Sequence, residues 1–564
     1  MAYFLKKSNR ARGLYLQIYE SFRNKEKKTS VHKSYKTLGY YDDLIKQGIK
    51  DPIAYFQNEV SILNDKRKIE IQETKTKKIG ESSVNKNLGY FLIKAMIDKL
   101  NVDPIIDILA SPRDFQFDVS TMMRQLIYSR IIQPCSKSKT IEKVVSSLFK
   151  YDDISIDQVY DGIKYIGNDY RKYIELFNHQ ITKVYGRNTD TVYFDCTNYY
   201  FEIDLPKDDK QKGPSKENKK EPIIGQALLL DSNQIPIGME MYPGNESEKP
   251  YIRKLINDMK SKYKIIGKTV QVADKGLNCG QNIYEAIKNG DGYVFSKSIR
   301  GTNLNDVEKA WIKYEKDYID IKDEKGTLKF KVKECIDEFT YYVTNENGKR
   351  IPFKVKEKRV VSYNPTLAKK QKADINKQIE KLSSLNTLKS IGKSEYGDVI
   401  KYVNFDEKIT PELNIEKIQE DLSLCGYNLI VTSEVDKSAL DIYDIYHGLW
   451  RIEESFRITK SFLEARPVYV QTIESIYGHF LICYLSLLIL RLLEFKVFNN
   501  ELNSYDIIDF VKNYKVTVGP NETYINTSNM STALKLIKNK FGFNFLDDLY
   551  LTKSNIKKVL STKV

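Results

Sequence analysis

Residues 446–460 read YHGLWRIEESFRITK, and their spacing predicts an amphipathic helix. At about 100° per residue, Tyr446, Trp450, Glu453, Arg457 and Lys460 project within roughly 80° of one another. Leu449, Ile452, Phe456 and Leu463 form an apolar stripe beside them, so the segment can dock while its charged edge faces a cleft. A carboxylate flanked by Arg and Lys suits a metal ion that works on a phosphodiester: the acid holds the metal and the bases hold phosphates. The same pattern also suits an ordinary surface helix with chance ion pairs.

Two aspartates bear on that choice. Asp195 closes the β-like run TVYFD before Cys196 and Thr197, and Asp274 closes GKTVQVAD before Lys275 and Gly276. An acid directly after a strand rich in Val, Tyr and Phe is expected at the sheet's carboxyl edge, where α/β sheets build their sites. Each also suits a turn or a helix cap, Asp274 the more so because Gly276 and the helix-like NCGQNIYEAIKNG follow.

The chain has 564 residues, enough for several domains. Its 90 Lys and Arg against 75 Asp and Glu leave a net charge of +15, which favours a polyanionic partner. Six scattered cysteines include no CxxC pair, which argues against a zinc ribbon or a disulfide framework and fits a reducing compartment. Four histidines form no HExxH pair, so a bound metal needs oxygen ligands, pointing to Mg²⁺ or Mn²⁺. MAYFLKKSNR lacks the apolar core of a signal peptide. The apolar run 476–493 carries Tyr477, His479, Cys483 and Arg491, and reads as a buried helix, not a membrane span.

The expected fold class is α/β multidomain: a ribonuclease H-like mixed-sheet core interrupted by a mainly β insertion, with a helical N-terminal DNA-binding region. Residues 1–75 read as a small basic β-hairpin unit, and ETKTKKIGESSVNK as a linker. Residues 86–187 turn helical, with Ser136 as a candidate cap after Pro134; Arg124, Arg130, Lys137, Lys139 and Lys143 suit a path for DNA or a solvated face. From 188 to 300 the order is three antiparallel-type strands, helix, strand, helix, strand, the ribonuclease H-like layout. Residues 301–430 carry lysine-rich strands and a lysine-rich helix, residues 431–495 the glutamate helix and its successor, and residues 496–564 a small mixed appendage.

The block from Tyr446 resembles the Y-x2-R-x3-E-x6-K signature of DDE transposases from bacterial insertion sequences, the YREK-type or insertion sequence 4 group. Tyr446, Glu453 and Lys460 match its tyrosine, glutamate and lysine, and FDCTN, VADKG and this block keep the family's acid order. KSFLEARPVY is similar to members with RPVY after the lysine. Leu449 stands where the signature has arginine; Arg457 projects closer to that position than Arg451 does.

The resemblance implies a recombinase that cuts the ends of its own element and joins the 3′ ends to target DNA. Asp195, Asp274 and Glu453 are its expected catalytic and metal-holding residues, with two Mg²⁺ ions (Mn²⁺ substituting) relieving their mutual repulsion. Tyr446, Arg457, Lys460, Lys275 and Arg466 are the expected DNA contacts. In relatives the insertion before the glutamate contacts the transposon end and can supply an aromatic that stacks on a flipped base, a part that Trp311 could take here as well as a core role. The implied partners are double-stranded DNA, as terminal inverted repeats and target, and a second copy of the chain; the implied location is the bacterial cytoplasm, at the nucleoid. The residue pattern leaves open a ribonuclease H-fold nuclease without transposition and an inactive DNA-binding relative.

Overall fold

The computed structural model describes residues 2–23, 30–76, 85–265, 267–300, 304–345, 347–385, 401–404, 412–518 and 523–564. The chain divides into two units. One holds Met1–Asn85, Val516–Ile525 and Tyr550–Lys553; the other holds Lys86–Lys515, Asn526–Leu549 and Ser554–Val564. In the smaller unit, Ala2–Arg10, Gly13–Arg23 and Ser30–Tyr40 form a three-stranded antiparallel sheet. Helices Tyr41–Lys46 and Pro52–Thr76 follow, so the expected hairpin unit is half helical. The second helix was hidden because its apolar positions are sparse: Phe56 and Val60, one turn apart, are its buried anchors, and Phe56 packs with Leu16 and Leu44. Residues 77–84, most of the expected linker, lie outside the described residues.

The larger unit begins with helices Phe91–Leu100, Asp103–Ala110, Val119–Ile132, Ile156–Asn168 and Tyr170–Tyr185. Capping side chains set several starts: Asp118 accepts from the Thr121 amide, and Ser155 and Gln158 make a reciprocal capping box. Ser136 likewise accepts from the Lys139 amide. The basic DNA-facing surface expected on these helices is largely turned inward. Arg124 pairs with Asp98 and Asp103, and Arg130 and Lys137 are buried, which leaves Lys139 and Lys143 exposed. The sequence shows charge but not which helix faces are covered by the rest of the unit.

The centre is helix Ile473–Leu492, buried along nearly its whole length. It is apolar and long enough to cross a membrane, but its surface is covered by protein. It packs tightly on Ile156–Asn168 because two glycines face each other. A Cβ on Gly478 would come 2.1 Å from the Ile163 carbonyl oxygen, and one on Gly167 would come 1.8 Å from that of Glu474.

A nine-stranded mixed sheet lies in this unit. Thr191–Tyr200 pairs antiparallel with Ile223–Leu230, which pairs antiparallel with Pro236–Pro243. On its other side Thr191–Tyr200 runs parallel to Val270–Ala273, itself parallel to Gly292–Lys297. Tyr427–Thr432 comes next, antiparallel, then Arg350–Tyr363, Leu328–Thr344 and Ile319–Lys322. Helices Lys249–Ser261 and Gly280–Lys288 connect the parallel strands. The long strands of the 301–430 segment therefore extend the central sheet, while the short strands Val403–Asn404 and Glu412–Leu413 pair antiparallel in a separate two-stranded sheet. That segment also carries helices Asp306–Lys313, Pro365–Leu385 and Ile415–Ser423. Residues 386–400 and 405–411 lie outside the described part. All six cysteines are free.

Candidate active site

Asp195 is not at a strand end. It sits fifth in Thr191–Tyr200, which continues through CTNYY because those side chains are buried against the sheet's neighbours. What does end nearby is the parallel pairing. Its last register pair is Phe194 with Ala273, so Asp195 and Asp274 are the next residues on strands about 4.8 Å apart. Beyond that pair the adjacent strand stops, and Asp274 opens the turn at Lys275–Leu277. The two acids thus stand side by side where one strand leaves the sheet.

The third acid arrives on a helix that the sequence treats as continuous. Ser438 and Asp441 form a capping box that starts Ala439–His447. That helix ends at Gly448, and Trp450–Arg457 carries Glu453. The backbone at Gly448 and Leu449 keeps right-handed dihedrals, φ −56°/ψ −19° and φ −58°/ψ −25°, so the block bends without losing its sense of turn. Gly448 is needed there: a Cβ would meet the Tyr193 hydroxyl at 2.4 Å, on the strand that carries Asp195. Leu449, Ile452, Phe456 and Leu463 are all buried, and this face holds the helix on the core. An internal ion cluster holds it as well. Arg491, fully buried on the central helix, bonds Glu454 at 2.9 Å and Glu494 at 2.7 Å.

With both supports in place, Asp195, Asp274 and Glu453 line one cleft of about 270 Å³, together with Tyr446, His447, Leu449, Trp450 and Ile452. Asp274 and Glu453 are exposed, whereas Asp195 is mostly covered. Burial pushes the Asp195 carboxyl up to about 6, aided by the charges of Glu248 and Asp274; Lys216 and the Cys196 amide pull the other way. That amide donates to Asp195 Oδ1 at 2.7 Å and fixes the side chain. Tyr446 Oη donates to Asp274 Oδ1 at 3.4 Å. Burial, with the charges of Asp274 and Glu453, raises the Tyr446 phenol, so it stays protonated and able to donate.

Oxygen donors of this kind suit a hard divalent cation. Among the described residues no three His, Cys, Asp or Glu side chains are already drawn together tightly enough to hold one. Two of the acids have other partners: Lys216 Nζ sits 3.6 Å from Asp195 Oδ1, and Tyr446 Oη makes a long 3.4 Å bond to Asp274. Asp274 and Glu453 are exposed side chains free to change rotamer quickly, so the donor set fits such an ion after local rotation.

The remaining expected residues are spread more widely. Lys460 does not line the acid cleft: its Nζ bonds Glu217 Oε1 at 2.8 Å and lies 5.3 Å over the ring of Tyr199, on the strand that carries Asp195. Lys275 lines an adjoining groove of about 470 Å³ with Lys297, Arg300 and Lys401, and this groove shares Tyr446 and His447 with the acid cleft. Arg457 is exposed and lies near Tyr505, away from the acid-cleft wall. Arg451 turns inward to Glu454 and Glu494. Arg466 is stacked 3.4 Å over the Tyr200 ring in a third cavity. Trp311 is half-buried on Asp306–Lys313 under the Lys333 ammonium, 4.8 Å from its ring, and lines none of these clefts. The sequence reading did not single out Glu248, 3.3 Å from Lys216, or Glu217 as site residues; Glu248 stands at the start of the helix Lys249–Ser261 and Glu217 in a lysine-rich loop, with no pattern to mark either.

This is a mixed sheet with three acids from distant parts of the chain facing one cleft. Residues 201–489 match the transposase DDE domain family, a span of just over half the chain that includes Asp274 and Glu453. The chain belongs to that family. The protein is therefore a transposase, and its family implies DNA binding and metal-dependent DNA cleavage. No curated protein matches the chain.

Proposed function

We propose that this chain is an insertion-sequence transposase of the YREK type that cleaves the ends of its own element and joins the 3′ ends to target DNA. The observation that carries the reading is the convergence of Asp195, Asp274 and Glu453 on one cleft from positions 79 and 179 residues apart. The strand order from Pro236–Pro243 through Gly292–Lys297, three antiparallel strands followed by two parallel ones, supports a ribonuclease H-like core.

In this reading Asp195, Asp274 and Glu453 hold Mg²⁺, with Mn²⁺ as a substitute. When bound, the divalent ions lower the pKa of the attacking water or 3′-hydroxyl and stabilise the leaving oxygen. Tyr446 keeps Asp274 oriented, and the Cys196 amide keeps Asp195 oriented. Lys460 contacts a phosphate beside the scissile bond, since a compact ammonium binds phosphate oxygens well. Leu449 supplies apolar wall where the signature has arginine, so phosphate binding falls to Lys460 and to the groove of Lys275, Lys297, Arg300 and Lys401. That groove leads away from the acids through Tyr446 and His447, which suits a DNA backbone path. Arg457, Arg466 and Trp311 then serve DNA outside the acid cleft. Two copies of the chain are expected on paired ends, because strand transfer joins both ends, and the reaction takes place at the nucleoid in the cytoplasm.

The test is nicking and strand transfer on duplexes that end in the element's inverted repeats. Ala at Asp195, Asp274 or Glu453 is expected to abolish both reactions and spare end binding. Nicking that persists in all three single variants, or that is undiminished in EDTA, would refute the assignment.

A further inference from the structure

We propose that the adjacent residues Lys216 and Glu217 hold the places of the cation at Asp195 and of the phosphate at Lys460, and yield both when metal and DNA bind. The proposal rests on the active-site reading above. Lys216 Nζ lies 3.6 Å from Asp195 Oδ1 and 3.3 Å from Glu248 Oε1, and it donates to the Cys196 carbonyl. Its ammonium thus gives Asp195 the positive neighbour that a divalent ion would otherwise supply. The next side chain does the converse. Glu217 Oε1 accepts from Lys460 Nζ at 2.8 Å, so a carboxylate oxygen stands where a phosphate oxygen would be expected.

The placement is built into the backbone. The Lys216 amide donates to Asn198 Oδ1 and Asn198 Nδ2 donates to the Pro214 carbonyl, which ties this turn to the strand that carries Asp195. Asn218, directly after the pair, takes a left-handed conformation, φ 54°, that closes the turn.

Competition follows from sign alone. A divalent ion and an ammonium cannot share Asp195 without repelling each other, and a phosphate and Glu217 compete likewise for Lys460. Because the two competitors are neighbours in the chain, displacing one loosens the turn that presents the other. Metal and DNA binding are then positively coupled, and the coupling is reciprocal. Glu248, 3.3 Å from the ammonium, remains its partner when Asp195 is taken by the metal.

Titrating Mn²⁺ into the full-length protein without DNA tests the first half. Lys216→Met is expected to bind Mn²⁺ about three- to tenfold more tightly than the wild type, and Asp195→Asn is expected to lose the binding. Anisotropy of a labelled repeat-end duplex in EDTA tests the second half without metal. Glu217→Gln is expected to bind about threefold more tightly, and the gain should vanish in a Lys460→Gln background. Mn²⁺ affinity in Lys216→Met equal to or below the wild type overturns the proposal, as does a Glu217→Gln gain that is absent or that survives without Lys460. If Asp195→Asn keeps wild-type Mn²⁺ binding, the active-site reading itself falls, a result distinct from either.

Discussion

Glu453 and Glu454 are consecutive carboxylates on one short helix, yet they live in opposite environments. Glu453 is exposed, lines the acid cleft, and forms no ion pair among the described residues. Glu454 is buried, 2.9 Å from the Arg491 guanidinium, in a cluster closed by Arg451, Glu494 and Ser504. About 100° of helical rotation separates the two. The buried side spends its charges on satisfying one another, which fixes the helix. The open side leaves acids with few partners, and mutual repulsion among carboxylates is what a cation relieves. Stability and chemistry are thus divided across one backbone.

The largest expected effect tests that division directly. Glu453→Gln should lower end cleavage by ~10³-fold or more and leave the melting temperature unchanged, because the side chain is solvated. Glu454→Gln should do the reverse. Removing one charge from a buried ion cluster costs about 3 kcal/mol, and the loss should show in calorimetry while Mn²⁺ affinity holds. If Glu454→Gln abolishes Mn²⁺ binding in a protein that still melts cooperatively, the two faces are not separate and the comparison fails.

A third environment lies at the far end of the same segment. Arg130 Nη1 donates to the carbonyls of Leu463 and Glu464, and His479 Nε2 contacts that of Ala465 at 2.8 Å. Lys137 Nζ meets His479 Nδ1 at 3.2 Å, with Cys135 and Cys483 also near and no carboxylate among the groups acting on it. These donors meet the free carbonyls where the turn Ile458–Phe462 ends. Burial, and then Arg130, push Lys137 down to about 7 from an ordinary 10.5. Between those values the unfolded chain holds a proton that the fold has released. On this account stability rises as pH goes from 7 toward 10, and the full cost is present below 7. Lys137→Met should flatten that rise by at most ~1.4 kcal/mol per pH unit, read from melting curves at pH 7, 8 and 9. An unchanged slope would mean that Lys137 keeps its proton in the folded chain at all three.

Much of this was open to sequence reasoning, for a physical reason. Apolar periodicity reports burial: Leu449, Ile452, Phe456 and Leu463 are spaced as a helix face and are buried as one. The alternation from strand to helix between 191 and 297 likewise gave the element order. Boundaries and pairing partners were less legible. TVYFD looks finished at its acid, yet the strand runs on to Tyr200 because the antiparallel neighbour continues beyond the point where the parallel one stops. The lysine-rich strands from 319 to 363 gave no sign that they would join the central sheet, since edge-to-edge pairing depends on backbone groups that every sequence has. Charge was the least legible property. Arg124, Arg130 and Lys137 count toward a basic surface in composition, but the first is paired with acids and the other two are buried, and Glu217 and Glu248, the acids that meet Lys460 and Lys216, carry no local signal.

The smallest expected effect concerns Tyr446, which sits on the helix before Gly448 and lines both the acid cleft and the basic groove beside it. Its hydroxyl donates to Asp274 at 3.4 Å, a long bond to a side chain that is otherwise exposed. A hydrogen bond of this kind contributes about 0.5–1.5 kcal/mol net. Tyr446→Phe should therefore slow cleavage by only ~2–10-fold and leave folding untouched, since the ring that packs against His447 remains. The size of the loss is informative. A small drop places Tyr446 as an orienting residue for one acid, consistent with an open face whose work is done by the three carboxylates. A drop as large as that of Glu453→Gln would mean that the hydroxyl meets the DNA itself, and the division between an acid face for chemistry and a neighbouring groove for binding would have to be redrawn through this side chain.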